Sequence, residues 1–428
     1  MTQAPSEAAE DITARPPVWR RWLADTTPLR ESHDYRRWWA GYSISFTGTQ
    51  LTQFAIPVQV YFLTKSSLAV GFVGLIVIGP LITMGLLGGS IADAMDRRRL
   101  TLITSTVLLS LSTLLTLQAA MHLDQLWLLY LIAVVSASTS AVDSSGRGAI
   151  LPRLVRRELI PSANALGQLG FNTGLSLGPL LGGVLIGTLG FAWAYGLDAA
   201  SFVAVLYAVW RLPSMPPEGG GSRPGFASVV EGLRFLGPRK NLLMTFLVDI
   251  NAMVFGMPRA LFPAIGLNWF HGGAGTVGLL AAAPSIGALL GAATSGWAAR
   301  IRRQGFVVLV AVGVWGGSIA LFGLNRVLWI GLVLLAIAGA ADMVSAIFRN
   351  TILQVATPDA LRGRLQGVFI VVVTGGPRLG DFEAGAVANA FGLATSVVSG
   401  GLACIAGVLL LAGRYPSFAG YDARDPVP

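Results

Sequence analysis

In a chain this apolar, the residues able to do chemistry are the few charges embedded in uncharged runs. Asp249 and Arg259 share one such run, Asp342 and Arg349 a second, and Arg147 lies in a third. A fourth run reads Gly375-Gly376-Pro377-Arg378-Leu-Gly380-Asp381-Phe-Glu383. A carboxylate or guanidinium at the centre of a bilayer costs roughly 2.5–3.5 kcal/mol on insertion scales, so it is expected to face a cavity or an opposite charge. Carboxylates placed this way can carry protons, and arginines can grip polar ligands. Asp249, Arg259, Asp342, Arg378, Asp381 and Glu383 are therefore the candidates for ligand contact or proton exchange. Asp381 and Glu383 are two apart and cannot share a helix face, whereas Arg378 and Asp381 are three apart and can pair. A satisfied ion pair is the competing reading there. For Arg147 and Arg349, close to the ends of their runs, contact with lipid headgroups competes with ligand contact. Gln50 and Gln53 could hydrogen-bond a polar ligand or a neighbouring helix. Asp198 reads as structural.

Other chemistries find no support. The single cysteine, Cys404, excludes an intramolecular disulfide and a cysteine-based metal site. His33, His122 and His271 are too far apart to suggest a metal cluster. No phosphate-binding Gly-x-x-x-x-Gly-Lys-Ser/Thr loop occurs, and no nucleophile–base pair emerges. Neither an enzyme nor a cofactor protein is expected.

The elements that must position these charges are membrane-spanning helices. The chain has 54% hydrophobic and only 12% charged residues, with a mean hydropathy of +0.66. A soluble domain carries about 25% charged residues. Twelve spans of the length a bilayer requires are placed near 38–63, 68–92, 100–121, 125–147, 162–187, 190–210, 240–266, 274–299, 305–324, 327–349, 365–389 and 391–413. The net charge of +9 is not spread evenly. Arg97-Arg98-Arg99, Arg153, Arg156, Arg157, Arg211, Arg239, Arg300, Arg302, Arg303, Arg362 and Arg364 fall in every second gap, while the intervening gaps hold only Lys65 and Arg326. Short basic loops stay cytoplasmic, so both termini are expected inside, and the basic surplus points to anionic lipid rather than nucleic acid.

The chain reads as an N-terminal tail (1–35), a six-helix bundle (36–210), a linker (211–239), a second six-helix bundle (240–413) and a C-terminal tail (414–428). The linker is rich in proline and glycine, and its second part, from Phe226 to Leu236, has the spacing of a short surface helix. One offset of 202 residues aligns the bundles. Arg147-x-x-Ile150-Leu151 matches Arg349-x-x-Ile352-Leu353, and Gly174, Gly178 and Gly183 match Gly376, Gly380 and Gly385. Two such units in one orientation are parallel repeats about an axis along the membrane normal, with a ligand site near the midplane between them.

Local motifs sharpen this reading. Gly89-Ser-Ile-Ala-Asp93-Ala-Met-Asp-Arg97-Arg98-Arg99 resembles motif A of the major facilitator superfamily, although Asp96 replaces its usual second glycine. The resemblance implies a cytoplasmic gate built from Gly89, Asp93, Arg97 and Arg98. Gly174-x-x-x-Gly178-Pro179-x-x-Gly182-Gly183 resembles motif C, which marks the antiporters of that superfamily; plain helix packing is the competing reading. Over residues 35–413 the chain is similar to the enterobactin exporter family, notably at Ala55-Ile-Pro57-Val-Gln59, Glu231-Gly-Leu-Arg-Phe-Leu236 and Leu353-Gln354-x-x-Thr357-Pro358-x-x-x-Arg362-Gly-Arg364. The resemblance implies the major facilitator fold: twelve helices in two pseudo-symmetric bundles, acting as a monomer in a bacterial inner membrane. It further implies proton-driven export of a siderophore by alternating access. A broad-specificity drug/proton antiporter is the alternative.

Overall fold

The computed structural model describes residues 25–216, 226–357 and 359–422. Among them there is no β-strand, and one isolated bridge joins Arg303 to Asp422. Twelve long helices run in chain order: α1 His33–Thr64, α2 Ser67–Ala94, α3 Arg97–Ala120, α4 Leu126–Leu154, α5 Ile160–Thr188, α6 Phe191–Trp210, α7 Lys240–Phe255, α8 Ala274–Ala293, α9 Gln304–Leu324, α10 Leu328–Ala356, α11 Asp359–Phe391 and α12 Leu393–Arg414. Ten of the spans they form are long and apolar enough to cross a membrane. The other two, α1 and α11, are the longest, at 32 and 33 residues. Both carry polar residues toward the interior, Gln50 and Gln53 on the first and Arg378 and Asp381 on the second.

The packing pattern makes the duplication visible. In the first half α1 packs on α5 and α6, α3 on α4 and α6, and α2 on α4; in the second half α7 packs on α11 and α12, α9 on α10 and α12, and α8 on α10. Each pair in one half has its counterpart in the other. The halves meet through α2 against α11 and α5 against α8, again a matched pair. Gly190 and Gly392, which precede α6 and α12, both adopt the left-handed backbone, with φ of 89° and 90°. They stand at the same offset of 202 residues.

Glycine lets these helices approach. A Cβ on Gly174 or Gly182 would run into Phe46 or Phe54 of α1, and one on Gly178 would meet Gln50. In the second half a Cβ on Gly380 would strike the backbone of Met253 and Val254 in α7. Both stripes thus draw a long helix onto the first helix of its own half, as small-xxx-small spacing allows.

The seventh span departs from the continuous helix expected over 240–266. Helix α7 stops at Phe255, and the chain resumes as a 3-10 turn Arg259–Leu261, a short turn Phe262–Ala264 and a π-helical turn Ile265–Trp269. Pro258 lacks an N–H and disfavours helical backbone at Met257. Gly256 is held against the Trp315 indole so closely that a Cβ would not fit. The eighth span is also shorter than expected, because α8 gives way to a 3-10 segment, Ser295–Arg300. Conversely, α4 and α10 run on to Leu154 and Ala356. The surface helix expected in the linker forms at Phe226–Leu236 and packs against α11.

Candidate functional site: a cavity between the two halves

A cavity of about 490 Å³ lies between the halves, within the usual range of small-molecule sites, roughly 300–1,000 Å³. Its walls are mostly apolar, with Phe54, Phe171, Phe262, Trp315 and Ile319 prominent. From the first half, Gln50, Gln53, Gln168 and Asn172 supply neutral amides; from the second, Arg259, Asp342, Arg378 and Asp381 supply every charge on its lining. The break in α7 puts Met257, Pro258, Arg259 and Ala260 on the wall. Irregular backbone at membrane depth is tolerated where it lines such a space.

The charges form two clusters. Asp249 of α7 and Asp342 of α10 both pair with Arg349 of α10, Asp342 at 3.6 Å. Asp249 and Arg349 are buried and do not reach the cavity, whereas Asp342 does. Arg349 is therefore an interior counter-ion, and the headgroup contact entertained for it does not occur. Its counterpart Arg147 pairs with Asp143 one turn earlier and lies over the ring of Tyr42 at 4.5 Å. Asp143 went unread in the sequence, although its i,i+4 spacing from Arg147 was the available signal.

In the second cluster Asp381 pairs with Arg259, at 3.6 Å. The partner expected from helix spacing, Arg378, is not within ion-pair distance. The α7 break brings Arg259 over from a neighbouring helix and places it nearer the carboxylate. Glu383 does not line the cavity; two residues from Asp381, it faces another direction. Asp198 is buried and accepts hydrogen bonds from Thr52 (2.6 Å) and Ser112 (2.7 Å), tying α6 to α1 and α3. Among the described residues no group of three or more His, Cys, Asp or Glu could hold a metal ion.

The cavity is sealed at the end where the arginine-poor loops lie. There a Cβ on Gly71 would stand 2.6 Å from the Asp381 carbonyl oxygen, and one on Gly385 2.6 Å from that of Ser67. In the matching contact, a Cβ on Gly278 would stand 2.6 Å from the Pro179 carbonyl oxygen, and one on Gly183 2.7 Å from that of Ala274. Asn268 also donates a hydrogen bond across the seam to the Tyr61 hydroxyl, at 2.8 Å. Toward the arginine-rich end, Gln168 on the cavity wall is exposed.

The sequence model of a family described as transmembrane secretion effector matches residues 24–425. The enterobactin exporter EntS of Citrobacter koseri is 31% identical over 398 residues, covering 91% of this chain and 94% of the relative. That of Shigella boydii is likewise 31% identical, over 397 residues, with 91% and 94% covered. The chain belongs to the transmembrane secretion effector family. Its architecture is the major facilitator fold. A solved POT family transporter in complex with 5-aminolevulinic acid superposes with a TM-score of 0.70 at 12% identity, over 90% of this chain and 97% of that one. A bacterial homologue of the human lysosomal transporter Spinster gives 0.66 at 16% identity, over 92% and 97%. This secretion effector is thus a multi-pass membrane transporter and not an enzyme.

In this family member the stretch resembling motif A grips the start of the linker. Asp96 caps α3 by accepting from the Arg99 N–H (3.0 Å) and also accepts from the Ser214 hydroxyl (2.6 Å) and the Met215 N–H (2.8 Å). Burial at this junction pushes the Asp96 carboxyl upward, but the donors of Ser214, Arg99, Met215 and Arg98 together outweigh it and hold the group below the usual carboxylate range. The Arg97 N–H donates to the Met215 carbonyl. Arg98 donates to the carbonyls of Val209 (3.3 Å) and Trp210 (2.6 Å), completing the last turn of α6 as a cation at a helix C-terminus should. Gly89 lies in the last turns of α2; the side chain of Asp93 lies outside the described residues. The stretch resembling motif C serves two interfaces. Gly174, Gly178 and Gly182 pack on α1, while Pro179 and Gly183 meet α8 at the seal.

Proposed function

We propose that this protein exports a siderophore across the cytoplasmic membrane by alternating access, in exchange for protons. The observation that carries the reading is the amphipathic cavity between two matched bundles, sealed at one end by backbone contacts through glycine. With the arginine-rich loops on the cytoplasmic side, the sealed end is the outer one, and the chain stands ready to take its cargo from inside. Both termini are then cytoplasmic. The enterobactin exporters that it resembles over most of its length support a siderophore as that cargo.

Proton exchange is assigned to the second bundle. Asp249 and Asp342 share one guanidinium, Arg349, leaving one surplus negative charge in that cluster. A proton on Asp342, the member that reaches the cavity, removes the surplus; losing it restores the full pair. Asp381 is the second candidate, and Glu383 is left without a path from the cavity. One charge crossing 100 mV supplies about 2.3 kcal/mol, enough for roughly a 50-fold cargo gradient at 1.36 kcal/mol per decade.

The test uses inside-out membrane vesicles carrying the protein. An imposed proton gradient, acid inside, is expected to drive uptake of a radiolabelled catecholate siderophore, and an uncoupler to abolish it. Uptake that ignores the gradient, or that persists when Asp249, Asp342 and Asp381 are all replaced by asparagine, refutes proton exchange. A deletion strain that secretes its iron chelator normally yet becomes drug-sensitive favours the drug antiporter instead.

A further inference from the structure

The second charge cluster does not balance. Arg378 lines the cavity, yet among the described residues nothing forms a hydrogen bond or an ion pair with its guanidinium. It lies within electrostatic range of Arg259 and Asp381. Of the two arginines only Arg259 makes an ion pair among the described residues, and it contacts Asp381 at 3.6 Å, longer than the 2.7–2.9 Å of a charge-assisted hydrogen bond. Its side chain remains 45% exposed. The other carboxylate oxygen of Asp381 is buried without any hydrogen-bond partner. Two guanidiniums therefore face a single carboxylate that satisfies neither, and this cluster by itself carries one surplus positive charge. Asp342, on the same wall, is held at 3.6 Å from Arg349 and makes no ion pair with Arg259 or Arg378.

A like-charged arginine pair inside a membrane protein is costly unless an anion joins it. Each guanidinium offers several N–H donors in a planar fork suited to paired oxygens. Opposite them stand the neutral amides of Gln50 and Gln53, able to meet hydroxyl or amide groups on the rest of a ligand, with Phe54 and Trp315 to cover its apolar parts. We infer that Arg259 and Arg378 form a cradle for an anionic oxygen pair of the transported molecule, a carboxylate or an ionised catechol, and that Asp381 competes with that anion for Arg259. This rests on the export reading and names the chemical class of the cargo. It also gives Asp381 a role: when cargo leaves, the carboxylate takes back Arg259, so the empty site keeps less unpaired charge.

The experiment measures binding to the full chain in lipid nanodiscs with radiolabelled 2,3-dihydroxybenzoate, and with 2,3-dihydroxybenzamide, which keeps the catechol but lacks the carboxylate. The acid is expected to bind at least tenfold more tightly than the amide. Arg378→Gln is expected to remove that tenfold preference, with Arg378→Lys retaining part of it. Asp381→Asn is expected to tighten acid binding, the opposite sign to loss of an arginine, and no merely structural role predicts that reversal. Equal binding of both probes to wild type, with both weakened by Arg378→Gln, supports the cradle and assigns the oxygens to the catechol. Binding of both probes unaltered by Arg378→Gln overturns it, as does Asp381→Asn weakening acid binding as much as Arg378→Gln does. Secretion of the cell's iron chelator is followed in parallel. Export by Arg378→Gln at the wild-type rate sinks the cradle alone, whereas secretion unaffected by loss of the whole protein sinks the export reading whatever the probes do.

Discussion

Gly278 offers the sharpest test of the sealed seam. An added Cβ there would stand 2.6 Å from the Pro179 carbonyl oxygen, 3.1 Å from the Gly183 Cα and 3.4 Å from its nitrogen. To restore ordinary contact at 3.4 Å, α5 and α8 must part by about 0.8 Å along this line. Overpacking of a tight contact costs roughly 1–3 kcal/mol, and the obstacle is backbone that cannot rotate aside. The helix-propensity gain of Gly278→Ala, about 1 kcal/mol, applies in every conformation of the carrier and cancels. Only the state sealed at this end bears the clash, so the substitution should shift the population toward the state open there by roughly 5- to 150-fold. The native thiol, Cys404, is fully buried, so a cysteine placed at the cavity residue Gln53 is the accessible one. Labelling of Gln53→Cys in intact cells by a membrane-impermeant maleimide should accelerate by that factor when Gly278→Ala is added. Gly313, where a Cβ would meet nothing within 4 Å, provides the control Gly313→Ala. An unchanged outside labelling rate, or an equal rise with the control, would refute the idea that this glycine contact is the outer seal.

Three further outcomes are expected. Tyr61→Phe removes the acceptor for Asn268 across the same seam; at about 0.5–1.5 kcal/mol for a net hydrogen bond, outside labelling of Gln53→Cys should rise roughly two- to tenfold, and no rise would leave that bond without a gating role. Arg349→Gln strands Asp249 and Asp342 without their cation, which for a buried pair costs roughly 3–5 kcal/mol; the unfolding midpoint in detergent should fall and then largely recover when both aspartates become asparagine, and a single variant as stable as wild type would contradict the assigned pairing. Asp96→Ala deletes the α3 cap and its hold on Ser214 and Met215, a cost of about 1 kcal/mol for the cap. Since the Asp96 carboxyl is held low by these donors, its contribution is complete above its unfolded pKa of about 4 and is lost as pH falls through the lower folded value; limited proteolysis between residues 211 and 216 should rise in wild type only below that window, and in the alanine variant at every pH.

The helix count, the repeat and the charges embedded in the spans were legible because each is a one-dimensional pattern. Arginine falls in alternate gaps, glycine recurs at one register, and charge interrupts apolar runs. The seventh span shows where such patterns stop. Gly256 and Pro258 went unread inside an apolar run, and no spacing could say that Trp315 would close on that glycine where the helix breaks. The same break explains the missed partner of Asp381. Helix geometry nominated Arg378, three residues away, but Arg259 is swung into reach by irregular backbone that no periodicity encodes. Asp143 escaped because it reads as one polar residue among serines until Arg147, a turn later, is seen to need it. Whether Gln53 or Glu383 would face the interior depended on the rotation of each helix about its own axis, which is set by the neighbours it packs against.

Pro179 and Asp381 occupy equivalent positions in the two copies, each lending its carbonyl to a glycine of the opposite half. The shared task belongs to the main chain, so the side chain at that slot was free to vary as the copies drifted apart. One copy has a proline ring at that slot, and the other has an ionisable carboxylate. A seam made by main-chain carbonyls can therefore carry a charge at one of its two equivalent slots without losing either contact.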